Sequence, residues 1–259
     1  MSNVAAHSPA APTTTDQDAA RSSFARVPSA FKLQFTVPSQ MIWVPLSVFF
    51  GVWALAVGIG LWARYLGDGE GDPFYTGASQ ATVWCLGFMA AYSASHSFPF
   101  SMALSYSRRV FVLGAFLAFA AVSAGFGVLF SIAILVERAT GGLWAQSYTF
   151  DLPFMTQNAD VLGAGLLAGT MCLGAMMIGF FWSILYRRVS LALLWVIAIL
   201  LVALLAVTFM VVTQNDWWPH VWDWLAVQSS YSLAGWALLL TLGLTAVNYL
   251  VIRRAVPTA

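Results

Sequence analysis

The sequence predicts an all-α integral membrane protein with six transmembrane helices and both termini in the cytoplasm. The first supporting observation is composition: 60% of the 259 residues are hydrophobic and 8% are charged, whereas a soluble domain carries about 25% charged residues. The second is a series of apolar stretches, each long enough to cross a hydrocarbon core of about 30 Å as a helix. The third is a one-sided distribution of Lys and Arg.

The chain is predicted to start with a cytoplasmic tail and to continue as one transmembrane domain. Residues 1–22 are rich in Ala, Pro, Thr and Asp, and they lack the basic start and apolar centre of a secretory signal. We expect this tail to be disordered and residues 23–259 to form the transmembrane domain.

An elbow-like helix lying in the inner membrane interface is predicted within residues 22–40. The segment mixes Phe, Val and Leu with Arg26 and Lys32, which is typical of an interfacial amphipathic helix. Pro28 and Pro38 leave an irregular linker as the alternative.

Six apolar stretches follow. They must be helices, because lipid offers the backbone no external hydrogen-bond partner. The second is the least apolar, since "AYSASHS" dilutes its end. The predicted spans cover residues 41–63, 79–97, 110–136, 161–185, 190–213 and 233–252.

The charges orient these spans. Nine of the 11 basic residues lie before span 1, between spans 2 and 3, between spans 4 and 5, or after span 6. Eight of the ten acidic residues lie on the opposite side, together with Arg64 and Arg138. Because basic loops stay in the cytoplasm, we expect a multi-pass protein of the cell membrane with cytoplasmic termini.

The segment between spans 2 and 3, "HSFPFSMALSYSRRV", predicts a short amphipathic helix on the cytoplasmic side. Ser97 suits an N-cap, and Pro99 suits the first turn that follows. An apolar face and a pair of arginines complete the pattern. The residues of interest are Ser97, Phe98, Pro99, Phe100, Ala103, Leu104, Arg108 and Arg109.

Span 4 carries small residues that favour close helix packing. Gly165 and Gly169 form a GxxxG pattern, and Gly174 follows them. Small residues let helix backbones approach closely in lipid. The contact they predict lies either within one chain or between two chains.

The outer loop between spans 5 and 6 predicts a short helix over residues 216–228. Apolar residues recur there at helical spacing from Trp218 to Leu225, Asp216 suits a cap and Pro219 a first turn. We expect an outer interfacial or re-entrant helix; a loop in the aromatic belt is the alternative. Its tryptophans are Trp217, Trp218, Trp222 and Trp224.

The sequence also disfavours some functions. The predicted spans contain no Asp, Glu, Lys or Arg, which argues against a proton-driven transporter but leaves sodium-coupled transport or a channel open. Two isolated cysteines and three scattered histidines predict no metal site. No catalytic constellation is visible, so we expect no enzyme activity and no bound cofactor. Nothing points to a nucleic-acid partner.

This six-span layout resembles the permease subunits of ABC transporters of the ABC-2 exporter type. Members have an elbow helix before span 1, like 22–40, a coupling helix after span 2, like 97–107, and outer re-entrant helices, like 216–228. The string "FPFSMALSYSRR" resembles a phrase recurrent in bacterial members.

The resemblance implies a subunit without its own motor. The chain has no GxxxxGK[ST] loop, so ATP and Mg would be bound by a separate ATPase subunit docked on the coupling helix. It also implies a second permease half, as a homodimer in the lipid bilayer, and an amphipathic or hydrophobic substrate. The loop "YRRVS" is too short for the EAA-type motif of importers, so export is expected.

Two other functions remain open from the sequence. One is an ATP-independent secondary transporter or channel. The other is an accessory or sensory membrane subunit that transports nothing.

Overall fold

The computed structural model of this chain describes residues 25–36, 39–66, 73–156 and 161–253. The predicted tail, 1–22, lies outside these residues. Strands β1 (Phe74–Tyr75) and β2 (Ser147–Tyr148) pair in parallel. A π-helical turn covers Ser39–Trp43, and Gly142–Gln146 form a turn whose backbone is non-helical at Leu143 and Trp144. The described helices are α1 (Val27–Gln34), α2 (Val44–Leu66), α3 (Gln80–Ala103), α4 (Arg108–Thr140), α5 (Pro153–Thr156), α6 (Val161–Arg188), α7 (Leu191–Gln214), α8 (Trp218–Val227) and α9 (Ser230–Arg253).

The chain is an all-α protein with the helices of a multi-pass membrane protein. The predicted span 79–97 falls in α3, which has 24 residues but is made more polar by side chains such as Ser93 and His96. Within the described residues, five helical segments are long and apolar enough to cross a membrane, namely Met41–Leu66, Arg108–Thr140, Val161–Arg187, Leu191–Gln214 and Ser230–Ile252.

Helix α6 lies at the centre of the bundle. Its contacts with α3, α4 and α9 are the most extensive between helices in the described part of the chain. Its buried side chains include Leu167, Met176 and Phe180. The Phe180 ring meets Phe119 of α4 edge to face, with 5.6 Å between ring centroids. Since lipid is itself apolar, such van der Waals packing is what holds these helices together.

Glycines permit the contact between α4 and α6. A Cβ atom added to Gly165 would lie 2.7 Å from the carbonyl oxygen of Gly127, and one added to Gly169 would lie 3.1 Å from that of Ser123. Gly165 and Gly169 therefore lie at a helix contact within one chain. Gly174 faces α9, where an added Cβ would lie 3.2 Å from Oγ1 of Thr241.

The closest approach between α3 and α6 is also made by glycines. A Cβ atom on Gly179 would lie 2.0 Å from the carbonyl oxygen of Gly87, far inside van der Waals contact. Any larger residue at position 179 would push the two helices apart. These helices are therefore fixed against each other about one third of the way along α3 and two thirds of the way along α6.

Arginine side chains bind backbone carbonyls at both ends of the bundle. At one end Arg187 donates to the carbonyl of Ser95, and Arg108 donates to the carbonyl of Ile252 over 3.3 Å. At the other end Arg64 donates to the carbonyl of Trp144 over 2.9 Å, close to the β1–β2 pair. Helix α3 therefore runs from the β1–β2 end to the arginine-rich end alongside α6.

Helix α1 occupies eight residues of the predicted interfacial segment 22–40. Its Ala30 is fully buried, and a Cβ atom added to Gly114 of α4 would lie 2.7 Å from the Cβ of Ala30. The contact with Gly114 anchors one face of α1 on the bundle. The position of α1 relative to a membrane interface stays a prediction.

A separate helix over 97–107 was the wrong expectation. Helix α3 continues through Ser97 and Pro99 to Ala103, so Ser97 lies inside a helix and is not an N-cap. Proline in a helix interior leaves the carbonyl four residues earlier without its N–H donor. That carbonyl belongs to Ser95, and the Arg187 guanidinium donates to it. This replacement donor lets the helix pass through Pro99.

Helices α7 and α8 lie against little of the remaining chain. Neither has a buried residue. Helix α8 confirms that residues after span 5 form a short helix with Pro219 in its first turn, but Asp216 is not its cap: the N-cap position is Trp217, without a side-chain hydrogen bond. Asp216 instead adopts φ of 51° in the preceding turn.

Candidate functional site

The turn between α3 and α4 is closed by local hydrogen bonds at the arginine-rich end. The amide of Tyr106 donates to the carbonyl of Ser101 over 3.1 Å, and Ser105 adopts the left-handed φ of 59° that ends many helices. The hydroxyl of Ser107 then accepts from the amide of Val110 over 3.3 Å as the N-cap of α4. These bonds give the turn one defined shape.

An apolar surface is exposed at this turn. Pro99, Phe100, Ala103, Leu104 and Arg109 are all exposed, and we call these five residues the inner tip. The exposed fractions of Phe100 and Leu104 are 54% and 47%. Two large apolar side chains and an arginine are therefore exposed at the end of a helical hairpin.

The inner tip is firmly connected to the bundle behind it. Phe98 points inward, with its ring centroid 5.4 Å from that of Phe111, and Ser101 is fully buried. Arg108 joins the start of α4 to the end of α9 through the carbonyl of Ile252. Of the residues that the sequence singled out in this segment, those of the inner tip are therefore exposed. Phe98 and Arg108 instead join the segment to the rest of the bundle.

The opposite end of the bundle contains a buried carboxylate. Glu137, near the end of α4, is fully buried. Its carboxylate oxygens accept hydrogen bonds from the amides of Thr149, Phe150 and Asp151 over 3.0, 3.0 and 2.9 Å. Charge-assisted bonds of this kind are among the strongest in proteins. Glu137 thus fixes the loop after α4.

Glu137 lies one residue beyond the predicted span 110–136, and sequence reasoning missed this role. A signal was present: Glu137 follows Phe130, Ala133 and Ile134 at helical spacings of seven, four and three, and all three are buried. The carboxylate therefore continues the buried stripe of α4. Its neighbour Arg138 is exposed and pairs with Asp151, with 2.8 Å between Nε and Oδ2.

The loop held by Glu137 is unusual in its backbone. Leu143, Trp144 and Gln146 adopt positive φ values of 53°, 59° and 51°, which cost energy for residues other than glycine. The hydroxyl of Thr140 accepts from the amide of Leu143 over 3.0 Å, and that of Ser147 donates to the carbonyl of Ala56 over 3.1 Å. Bonds at both ends hold this loop in its strained form.

The outer tryptophans are not assembled into a site. Trp217, Trp222 and Trp224 are exposed along α8. Trp218 donates from Nε1 to the hydroxyl of Thr213 over 3.0 Å, and its ring lies 5.3 Å from that of Phe209. Trp218 therefore folds α8 back onto the end of α7. Whether α8 re-enters a membrane stays a prediction.

A groove runs along the contact between α4 and α6. It encloses about 520 Å³ and is lined mainly by small side chains, with Ser123, Ser131 and Thr170 among them. Ser131 and Thr170 are turned to backbone carbonyls, those of Gly127 and Leu167 respectively. The groove therefore presents few free polar groups, as expected of a surface that faces acyl chains or another helix.

No group of three or more His, Cys, Asp or Glu side chains that could hold a metal ion occurs among the described residues. Cys172 is buried in α6 and Cys85 is half-buried in α3, and both are unpaired thiols. In comparisons with known proteins, the chain matches no protein-family model, no curated protein and no solved structure at a significant level.

Proposed function

We propose that this chain is the membrane-spanning permease subunit of an ATP-driven exporter of the ABC-2 type. In this proposal α1 is the interfacial elbow helix, α3 is a sixth span, and both termini lie in the cytoplasm. The observation that carries the proposal is the inner tip: Phe100 and Leu104 are exposed beside Arg109 on a rigid hairpin at the arginine-rich end. The motor is a separate ATPase subunit that holds ATP and Mg.

The length and placement of α3 support its assignment as a span. Its 24 residues extend about 36 Å at 1.5 Å per residue. It starts at Gln80, close to the β1–β2 pair, and reaches the arginine-rich end where Ser95 meets Arg187. The rest of the protein covers part of its polar surface, since Thr82 and Ser93 are buried. A span that is shielded in this way needs less apolar character than one facing lipid.

The same geometry supplies a route for force. An ATPase that binds the inner tip would push on the end of α3. Arg187 joins that end to α6, and the contact between Gly87 and Gly179 joins the two helices again closer to the β1–β2 end. Because α6 also packs against α4 and α9, movement at the tip would shift the centre of the bundle.

The exposed surfaces of α7 and α8 support the presence of a second permease chain in the exporter. Helix α7 has no buried residue, and α8 extends the same exposed surface. A homodimer that uses this surface would enclose a pathway between two chains. The substrate we propose is amphipathic or hydrophobic, and it would move outward.

The test is a double substitution at the inner tip. We expect Phe100→Ala with Leu104→Ala to leave membrane insertion intact and to reduce the amount of ATPase that co-purifies in mild detergent by about tenfold, because two apolar anchors are lost. The matched control is Phe88→Ala with Leu166→Ala, which truncates two other exposed residues away from the tip.

Two outcomes would contradict the proposal. One is a full complement of ATPase with the double variant of the inner tip. The other is gradient-driven flux by the purified chain in liposomes without ATP, which would instead support a secondary transporter or channel.

A further inference from the structure

At the arginine-rich end of the bundle, one buried side-chain amide has a hydrogen-bond partner for its oxygen but none for its nitrogen among the described residues. Gln34, the last residue of α1, is 5% exposed. Its Oε1 accepts a hydrogen bond from the hydroxyl of Ser93 in α3. Its Nε2 has no hydrogen-bond partner among the described residues, although it is shielded from solvent. Buried donors are nearly always paired in native proteins, so this nitrogen indicates a missing acceptor.

A cavity lies directly beside this amide. It encloses about 200 Å³ between the end of α1 and helix α3, and Gln34, Ser93, Ser97 and His96 are polar residues of its lining. Met41 and Met89 contribute apolar surface. The His96 ring lies against Tyr92, with 4.0 Å between ring centroids. The cavity thus combines polar groups on one wall with flexible thioether side chains on another.

Charge restricts what could fill the cavity. None of the described residues that line it is Lys or Arg. A phosphate or carboxylate would enter without a fixed positive partner, which is unfavourable at a buried site. A neutral carbonyl oxygen needs only a donor such as Nε2 of Gln34. The cavity therefore fits a neutral acceptor that carries an aliphatic chain.

The position of the cavity indicates where such a group would come from. Its lining residues Ser93, His96 and Ser97 flank Ser95 in the sequence of α3, and the carbonyl of Ser95 meets Arg187 at the arginine-rich end of the bundle. In a membrane protein this end lies at the lipid headgroups. Ester carbonyls of phospholipids, with acyl chains attached, lie just below those headgroups.

We propose that this cavity binds the glycerol-ester region of a phospholipid from the leaflet at the arginine-rich end. An ester carbonyl accepts from Nε2 of Gln34, and the first methylenes of the acyl chain pack against Met41 and Met89. The bound lipid joins α1 to α3 and so completes a contact that the protein leaves open. This inference rests on the membrane placement of the bundle and is independent of any ATPase.

The test compares two lipids that differ only at the proposed acceptor. The purified, delipidated chain is titrated with a short-chain diester phosphatidylcholine and with the diether analogue of the same chain length and headgroup, and retained lipid is measured by native mass spectrometry and calorimetry. We expect the diester to bind roughly five- to tenfold more tightly, because one hydrogen bond from a buried donor is at stake.

Substitutions then locate the effect. Gln34→Met keeps the size of the side chain but removes the donor, so we expect the preference for the diester to disappear. Ser97→Leu fills the cavity without changing Gln34 and should weaken both lipids. Gln80→Leu, an exposed glutamine at the other end of α3, is the matched control and should change neither.

Three results would overturn the proposal: equal affinity of the wild-type chain for diester and diether, a preference that survives Gln34→Met, or stronger binding of hexanoate than of the diester. The last would identify a free carboxylate as the ligand. Because no arm of the experiment contains an ATPase, a failure here is separate from a failure of the exporter proposal.

Discussion

At the scale of single residues, the strongest polar contacts in the described bundle belong to side chains that satisfy backbone groups. Glu137 accepts from three consecutive backbone amides while fully buried. Arg187 supplies the donor that Pro99 lacks. In a low-dielectric environment an unsatisfied backbone group is costly. Each of these side chains therefore stabilises the backbone conformation of one segment.

The role of Glu137 predicts a graded loss of stability. Glu137→Ala leaves three buried amides without an acceptor, and we expect it to lower the free energy of unfolding by about 3 kcal/mol or more. Glu137→Gln keeps one carbonyl oxygen and should lose about half as much. Thermal unfolding of the purified protein in detergent measures both.

The neighbouring residue provides the control for Glu137. Arg138→Gln removes an exposed ion pair with Asp151, and such pairs contribute about 0–1 kcal/mol. A loss for Arg138→Gln as large as that for Glu137→Ala would show that the ion pair, and not the buried carboxylate, holds the loop.

At the scale of elements, helix α3 depends on a donor that lies 92 residues away in sequence. Its continuity through Pro99 rests on the bond from Arg187 to the carbonyl of Ser95. A pair of substitutions can test this dependence. Pro99→Ala restores the backbone N–H whose absence makes the Arg187 donor necessary.

We expect Arg187→Gln to cost about 1–2 kcal/mol of stability in the wild-type chain and less than half of that in the Pro99→Ala background. A double-mutant cycle of unfolding in detergent measures the coupling. Arg109→Gln, which removes an exposed arginine at the same end, controls for the change in net charge. Equal costs of Arg187→Gln in both backgrounds would contradict this explanation of the helix.

The elements also show what sequence reasoning could reach. Apolar length fixed the spans closely: 161–185 was predicted where α6 covers Val161–Arg188, and 190–213 where α7 covers Leu191–Gln214. The segment after Ser97 was misread because Ser and Pro two residues apart are the local signature of a helix start. The bond that overrides this signature comes from a distant arginine, which no local pattern records.

Some features of the candidate site could likewise be predicted from the sequence, and others could not. Phe100 and Leu104 were predicted on the apolar face of a short amphipathic helix, and both are exposed although that separate helix does not form. Gly165 was found from its spacing to Gly169. The closeness of Gly87 to Gly179, and of Gln34 to Ser93, depends on which helices become neighbours. When six apolar stretches are similar, the sequence of each one does not specify which of the other helices it packs against.

At the scale of the whole molecule, burial is distributed very unevenly. Helix α6 is covered on several sides, while α7 has no buried residue in the described chain. A helix without protein neighbours contributes little to the stability of the isolated chain, because unfolding changes its surroundings only slightly. Stability and assembly therefore depend on different helices.

Because burial is so uneven, the same Leu→Ala substitution should affect the free energy of unfolding strongly in α6 and very little in α7. Leu167→Ala in α6, at 1% exposure, should lower the free energy of unfolding by about 2–5 kcal/mol through the cavity it leaves. Leu204→Ala in α7, at 63% exposure, should change it by less than about 0.5 kcal/mol. Unfolding of the monomeric chain in detergent is the measurement, and a large effect at Leu204 would show that α7 packs against the bundle.

The central place of α6 has a consequence for biosynthesis. Asn248 of α9 donates from Nδ2 to the carbonyl of Met177 in α6 over 3.3 Å, and the two helices share one of the largest contacts of the bundle. The ribosome makes α6 well before α9, so a nascent chain carries one uncovered side of its central helix until α9 has been inserted beside it. Insertion of α9 is then the step that covers this side of the core, and a chain truncated after α8 would expose it to the quality-control proteases of the membrane.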